Sequence, residues 1–169
     1  IESELGHVDL IVNNAGITRD GSFKKMNADK WSQVIATNLD SVFNVTHQFA
    51  NGMAERGHGR IVNISSINGQ KGQFGQTNYS AAKAGVAAMA TVWAKELARY
   101  GIRSAGIAPG FIATDMVASM KPEALEKMTA GIPLKRLGEP QEVAHTARFI
   151  LENDYISGRV IELDAALRI

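Results

Sequence analysis

The feature that most constrains the fold is an alternation of short apolar runs with longer stretches of helical periodicity. The apolar runs span residues 8–12, 60–65, 102–108 and 159–164. The helical stretches between them span residues 28–56, 78–100 and 140–151. Such alternation is typical of right-handed strand–helix–strand crossovers in a parallel sheet. We therefore predict an α/β fold with a doubly wound parallel sheet, and we expect the first strand to be buried on both faces.

Polar or small residues follow the first three apolar runs. They are Asn13, Asn14, Ala15 and Gly16 after the first run, Ser65 and Ser66 where the second run ends, and Pro109 and Gly110 after the third. The carboxyl ends of parallel strands share one edge of the sheet, and ligands bind beyond that edge. The sequence contains no repeat, low-complexity segment or linker. We predict a single domain over residues 1–169 with a ligand site at this edge.

Composition argues against several classes of function. The chain has a formal net charge of +1, no basic block and no cysteine, so we expect neither a nucleic-acid partner nor thiolate chemistry. Its four histidines show no metal-ligand spacing, and no metal site is predicted. No apolar run approaches the roughly 20 residues of a membrane span. No secretion signal is visible, and the expected location is the cytoplasm.

A serine, a tyrosine and a lysine are the strongest candidates for catalysis. Tyr79 and Lys83 are four residues apart in a predicted helix, so their side chains share one face. Ser66 ends the preceding strand, and the loop between can bring the two hydroxyl groups together. Carbonyl reduction needs a proton on oxygen, which Tyr79 can supply while Ser66 holds the carbonyl. We expect the Lys83 ammonium to lower the tyrosine pKa from about 10.

Asn38 is a further candidate because it interrupts the apolar stripe of the first long helix. That stripe consists of Trp31, Val34, Ile35, Val42, Val45, Thr46, Phe49 and Met53. A buried amide must be hydrogen-bonded, because leaving it unpaired costs on the order of 1–3 kcal/mol. Two interpretations stay open. The amide bonds to nearby backbone, or it holds a water that relays protons from Lys83 to solvent.

These residues resemble the short-chain dehydrogenase/reductase family. The resemblance rests on five segments in the family's order: Asn13-Asn14-Ala15-Gly16, Asn38, Ser66, Tyr79-Ser80-Ala81-Ala82-Lys83 and Pro109-Gly110-Phe111-Ile112-Ala113-Thr114. It implies a Rossmann-like fold of which this chain holds the C-terminal part, strands four to seven. It also implies a dehydrogenase or reductase whose catalytic residues are Asn38, Ser66, Tyr79 and Lys83.

The resemblance further implies a nicotinamide cofactor and an oligomer. The residues that match cofactor contacts are Asn14, Ala15, Gly16, Tyr79, Lys83, Pro109, Gly110, Ile112 and Thr114. A reductase of this kind implies NADPH, with NADH as the alternative. Family members pair long helices across a two-fold axis, which implies a homodimer or homotetramer here. The small residues Ala81, Ala84, Gly85 and Ala88 would allow such close helix approach.

The segment of residues 68–78 points to a substrate class. It is similar to the corresponding loop of acetoacetyl-CoA reductases. The resemblance implies that Gln73, Phe74 and Gln76 line the acyl pocket with Phe111 across from them, and that Ser66 also contacts the substrate. The resemblance implies reduction of a 3-oxoacyl thioester to the (R)-3-hydroxyacyl thioester. The alternatives are a 3-oxoacyl-(acyl-carrier-protein) reductase, with the carrier protein as partner, and a solvated loop whose glutamines contact nothing.

Two positions depart from the family's pattern. Ala105 stands where the family usually has asparagine, and Ala165 and Ala166 stand where it usually has paired glycines. Alanine lacks the freedom of glycine at positive φ. We expect altered local geometry near the cofactor cleft or a subunit contact.

The family's glycine-rich turn, which would hold the cofactor pyrophosphate, is not in this sequence. The segment that distinguishes NAD from NADP is also absent. We interpret the chain as a truncated enzyme and expect residues 1–169 alone to lack activity and to bind the cofactor weakly. The alternative is an inactive half-domain that acts only in binding or assembly.

Overall fold

The computed structural model describes residues 2–114, 117 and 121–168. Its strands are β1 (Leu10–Asn13), β2 (Gly59–Ile64), β3 (Ile102–Pro109) and β4 (Val160–Leu163). They form one parallel sheet in the order β1-β2-β3-β4. The helices are α1 (Glu2–Leu5), α2 (Ala28–Ile35), α3 (Ser41–Arg56), α4 (Asn68–Lys71), α5 (Thr77–Leu97), α6 (Pro122–Gly131) and α7 (Pro140–Glu152).

Helices cover both faces of the sheet, which confirms the doubly wound α/β prediction. On one face, Met53 of α3 packs against Ile11, Ile61 and Ile102 of three neighbouring strands. On the other face, Ile150 of α7 packs against residues of β2 and β3. Each buried apolar side chain contributes roughly 1.5–3 kcal/mol of transfer free energy to this core.

The prediction that the first strand is buried on both faces is wrong. Ile11 is 6% exposed beneath α3, whereas Leu10 and Val12 on the opposite face are 45% and 46% exposed. The reason is that α7 packs on β2 and β3, and Val12 instead lines an open cleft. Val12 is therefore both a strand residue and part of the cleft lining.

The long helical stretch predicted for residues 28–56 is interrupted by a π-helical turn at Ala36–Asp40, which joins α2 to α3. Asn38 lies in the middle of this turn and is fully buried. The predicted apolar stripe is buried at Val34 and Met53, but Trp31 is 41% exposed. Single π-turns inside α-helices frequently mark functional positions.

The chain after β3 follows the predicted mixture of loop and short helix, with Ile112 bridging to Gly138. Residues 115, 116 and 118–120 of that segment lie outside the described part of the chain. After β4, Ala165 and Ala166 adopt φ values of 55° and 63°. Both alanines therefore adopt left-handed backbone conformations, which the glycines that usually stand here in the family would adopt more easily. Among the described residues, no helix is long and apolar enough to cross a membrane.

Candidate active site

A cleft of about 940 Å³ opens at the carboxyl edge of the sheet, where the sequence predicted a ligand site. Most of the predicted site residues line it: Asn14, Gly16, Ser66, Gln73, Phe74, Gln76, Tyr79, Lys83, Pro109, Gly110, Phe111, Ile112 and Thr114. Two do not. Ala15 is exposed outside the lining, and Asn38 is buried behind it.

The structure brings the Ser66 and Tyr79 hydroxyl groups together. Ser66 follows β2 and is 7% exposed, and Tyr79 lies in the first turn of α5. The Ser66 hydroxyl lies close enough to the Tyr79 phenol to lower its pKa as a hydrogen-bond donor. The Asn68 backbone N–H donates to Ser66 Oγ over 3.1 Å, which holds the serine hydroxyl at the start of α4. Two hydroxyl groups therefore converge where a carbonyl oxygen could bind.

The expectation that the pKa of Tyr79 is lowered is wrong for this arrangement. Burial of the phenol raises its pKa most, and the negative charge of Asp20 raises it further. The hydrogen bond from Ser66 acts in the opposite direction but is outweighed. With its pKa raised, Tyr79 is protonated at neutral pH but is a weaker acid than a free phenol.

Lys83 is buried beneath Tyr79. Its side chain is held by a hydrogen bond from Nζ to the Ile64 carbonyl oxygen over 2.6 Å, and Nζ lies 5.8 Å from the centre of the Tyr79 ring. Burial lowers the pKa of Lys83 to about 8. The side chain is therefore still mostly an ammonium at pH 7, although the charged form is less strongly favoured than in water.

The backbone of α5 at Lys83 is fixed from two sides. The Ser65 hydroxyl donates to the Lys83 carbonyl oxygen over 2.7 Å. On the α4 side, a Cβ added to Gly69 would lie 2.8 Å from the Ala84 nitrogen, so only glycine allows α4 to approach α5 this closely. Neither contact was foreseen from the sequence, because both join segments that are distant along the chain.

Asn38 uses its side chain to hold the loop after β1. Its Nδ2 donates to the Ile17 carbonyl oxygen over 2.9 Å, and its Oδ1 accepts from the Ile17 N–H over 2.8 Å. Of the two interpretations left open, the backbone hydrogen bond is the one that the side chain makes. The water relay from Lys83 stays a prediction.

Sequence reasoning missed Asn78 and Asp20. Asn78 is fully buried, donates to the carbonyl oxygens of Arg19 and Lys30, and accepts from the Tyr79 N–H over 2.8 Å. It therefore ties the loop carrying Asp20 to the helix carrying Tyr79. Asparagine is common at helix starts, so its position gave no signal of this bridge.

The predicted acyl-binding loop lies at the cleft but is unevenly placed. Phe74 is 88% exposed, so it stands at the rim and does not close the pocket in this structure. Gln73 accepts a hydrogen bond from Lys71, and Gln76 bonds to both Asn68 and Asp20. Both glutamines therefore have partners within the protein, and their contact with an acyl group stays a prediction.

The cleft fits the nicotinamide end of a dinucleotide. A Cβ built on Gly16 would lie 3.7 Å from Lys83 Nζ and 3.7 Å from Asn38 Oδ1, so glycine keeps a space free beside the ammonium. The segment after β3 lines the same cleft through Ile112 and Thr114. This part of the cleft thus combines the Lys83 ammonium, the small residue Gly16 and the apolar side chain of Ile112.

Comparison with known proteins agrees with this geometry. A family model described as short chain dehydrogenase matches residues 1–125. An acetoacetyl-CoA reductase from Cupriavidus necator is 51% identical over 99% of this chain and 69% of its own length. Nodulation protein G from Azospirillum brasilense is 50% identical over the same shares. A 3-oxoacyl-(acyl-carrier-protein) reductase from Thermotoga maritima is 45% identical, again over 99% and 69%.

The match covers the strands and helices that carry Ser66, Tyr79 and Lys83. A cleft that contains a candidate proton donor therefore lies in a chain that matches a family of oxidoreductases, and these use nicotinamide cofactors. The chain belongs to the short-chain dehydrogenase family.

Proposed function

We propose that this chain forms the catalytic part of an enzyme that reduces acetoacetyl-CoA, a 3-oxoacyl thioester, to the (R)-3-hydroxyacyl thioester with NADPH. The observation that carries the proposal is that the Ser66 and Tyr79 side chains meet in the cleft above the buried Lys83 ammonium. Similarity to acetoacetyl-CoA reductases supports the choice of substrate.

In the proposed reaction, the substrate C3 carbonyl oxygen accepts hydrogen bonds from the Ser66 and Tyr79 hydroxyl groups. NADPH supplies a hydride to C3 when bound. Tyr79 transfers its proton to the oxygen, so the ketone becomes an alcohol and the phenol becomes a phenolate. The Lys83 ammonium stabilises that phenolate. General acid catalysis of this kind typically contributes about 10²–10⁴ in rate.

The proposed cofactor contacts lie on the same cleft. Lys83, Ile112 and Thr114 would hold the nicotinamide end, with Asn14, Gly16, Pro109 and Gly110 shaping the space around it. The preference for NADPH over NADH rests on the reductase resemblance alone. Calorimetric titration of the full-length protein, including any residues that precede Ile1, tests it. Tighter binding of NADH would overturn it.

The substrate test compares acetoacetyl-CoA with acetoacetyl thioesters of acyl-carrier protein. The full-length protein should show the higher kcat/KM with acetoacetyl-CoA. A strong preference for the carrier-protein thioester would favour the second candidate, a 3-oxoacyl-(acyl-carrier-protein) reductase, to which the Thermotoga maritima relative points. Absence of reduction with both substrates would refute the proposed function.

We also propose a homo-oligomer, a dimer or tetramer, in the cytoplasm. The small residues Ala81, Ala84 and Ala88 of α5 are exposed, and Phe43 of α3 is 51% exposed. A second copy packed on this surface would bury apolar area that water now covers. Light scattering at micromolar concentration tests the proposal, and a monomeric mass would contradict it.

A further inference from the structure

Asp20 brings a negative charge to the cleft that the proposed reaction does not use. Of the described residues that line the cleft, only Asp20 and Lys83 carry charged side chains. Lys83 is buried and donates to the Ile64 carbonyl oxygen, whereas Asp20 is exposed. Within residues 2–114, 117 and 121–168, the Asp20 carboxylate forms no salt bridge. A molecule in the cleft therefore meets a carboxylate that no cation neutralises.

The backbone on both sides of Asp20 is held against the start of α5. The Arg19 carbonyl oxygen accepts from Asn78 Nδ2 over 3.2 Å. The Gly21 N–H donates to the Gly75 carbonyl oxygen over 2.9 Å. Asn78 is fully buried, and Gly75 lies two residues before the helix begins. Since both neighbours of Asp20 are tied to this segment, its side chain has a defined place in the cleft.

The Asp20 carboxylate is also held directly. Gln76 Nε2 donates to its two oxygens over 3.1 Å and 3.3 Å, and Gln76 lies three residues before Tyr79. The Lys30 ammonium bonds to the backbone carbonyl oxygen of Asp20 over 3.0 Å and not to its carboxylate. In addition to burial, the charge of Asp20 raises the pKa of the Tyr79 phenol. That charge therefore also acts on any ionised group that a substrate carries close to its C3 carbonyl.

A 3-oxo acid and its thioester differ in charge close to that carbonyl. In the thioester, C1 is a neutral carbonyl bonded to sulfur. In the free acid, C1 is a carboxylate, two bonds from C3. When the C3 oxygen bonds to Ser66 and Tyr79, this carboxylate comes within a few ångströms of the phenol. Like charges repel each other more strongly in a protein cleft than in bulk water, because the effective dielectric constant is lower.

We propose, on the basis of the proposed function, that Asp20 makes the site selective for uncharged 3-oxoacyl derivatives over 3-oxo acids. The Asp20 carboxylate repels the C1 carboxylate of the acid and needs no contact with the thioester. Asp20 is therefore a specificity-determining residue and not a catalytic one. It follows that a reaction that forms the 3-oxoacyl thioester must precede this reduction, since the free acid is refused.

The test compares acetoacetate with methyl acetoacetate, which share the 3-oxoacyl group and differ in charge at C1. The full-length protein should reduce the ester with a higher kcat/KM than the acid. Asp20→Asn keeps an oxygen that accepts from Gln76 and removes the charge. It should raise the acid-to-ester ratio of kcat/KM by about three- to eightfold, as expected for like charges about 7 Å apart at an effective dielectric constant of about 40–80. Effects of the variant on Tyr79 cancel in this ratio, because both substrates need the same acid.

Asp29→Asn is the matched control. It removes the same charge from an exposed position in the first turn of α2, outside the cleft lining, and should leave the ratio unchanged. Added salt screens the charge, so the difference between the parent and Asp20→Asn should shrink as ionic strength rises. Where turnover of the acid is too slow to measure, the inhibition constant of acetoacetate against reduction of the ester gives the same comparison.

An acid-to-ester ratio that is the same in the parent and in Asp20→Asn would overturn the assignment. A parent that reduces acetoacetate as well as its methyl ester would also overturn it. An equal rise of the ratio in Asp29→Asn would do so too, because the effect would then come from net charge. Reduction of acetoacetyl-CoA with any of these results would refute the selectivity alone. A parent that reduces neither acetoacetyl-CoA nor methyl acetoacetate would refute the proposed function, and the selectivity with it.

Discussion

Replacement of Tyr79 by phenylalanine removes one hydroxyl group from the centre of the site. The ring keeps its packing on α5, and Ser66 Oγ keeps the hydrogen bond that it accepts from the Asn68 N–H. Ser66 loses only the phenol oxygen to which its hydroxyl donates, at the edge of an open cleft, so the free energy of unfolding should change by only about 1 kcal/mol. Loss of the proton donor should lower kcat/KM by about 10²–10⁴, at roughly 1.4 kcal/mol for each factor of ten.

The two magnitudes separate a catalytic role from a structural one. Reduction of acetoacetyl-CoA by the full-length protein is followed by the loss of NADPH absorbance, and urea denaturation gives the stability. Tyr155→Phe is the matched control, because Tyr155 is 100% exposed and should change neither quantity. NADPH binding should be nearly unchanged in Tyr79→Phe. Near-parental kcat/KM in that variant would refute the assignment of Tyr79 as the acid.

Three further perturbations test other parts of the structure. Asp20→Asn removes a charge that raises the pKa of Tyr79, so the loss of reductase activity on raising the pH should begin at lower pH; an unchanged pH profile of kcat/KM would contradict this. Ala165 has a left-handed backbone conformation, which costs an alanine about 1–2 kcal/mol, so Ala165→Gly should raise Tm. Ala124 lies exposed on α6, where glycine is a poorer helix former, so Ala124→Gly should lower Tm. Asn38→Leu leaves two backbone groups of the loop after β1 unpaired and should cost roughly 2–4 kcal/mol in urea denaturation; a smaller cost would show that water replaces the amide.

Much of the fold followed from local patterns. Strand and helix periodicities differ, and their alternation specified a parallel sheet before any contact was known. The spacing of Tyr79 and Lys83 on one helix face is likewise a local property, so the pair was predictable. The edge at which Ser66 and Gly110 would meet them followed from the common direction of parallel strands.

Properties that depend on distant segments were not accessible in this way. The direction of the Tyr79 pKa shift was predicted wrongly, because burial and the charge of Asp20 outweigh the hydrogen bond from Ser66. Both effects come from segments that meet α5 only in the folded chain. The exposure of Val12 reflects where α7 packs, which no run of residues near β1 encodes.

The sequence by itself therefore determined which residues could do the chemistry, in what order and at which edge of the sheet. Only the tertiary structure decided which partners the polar side chains find: Asn38 holds a loop through Ile17, and Gln76 links Asn68 to Asp20. The physical reason is the distance along the chain over which each property is set. Periodicity records which side of an element faces the core, whereas desolvation and hydrogen-bond direction depend on atoms from segments that meet only after folding.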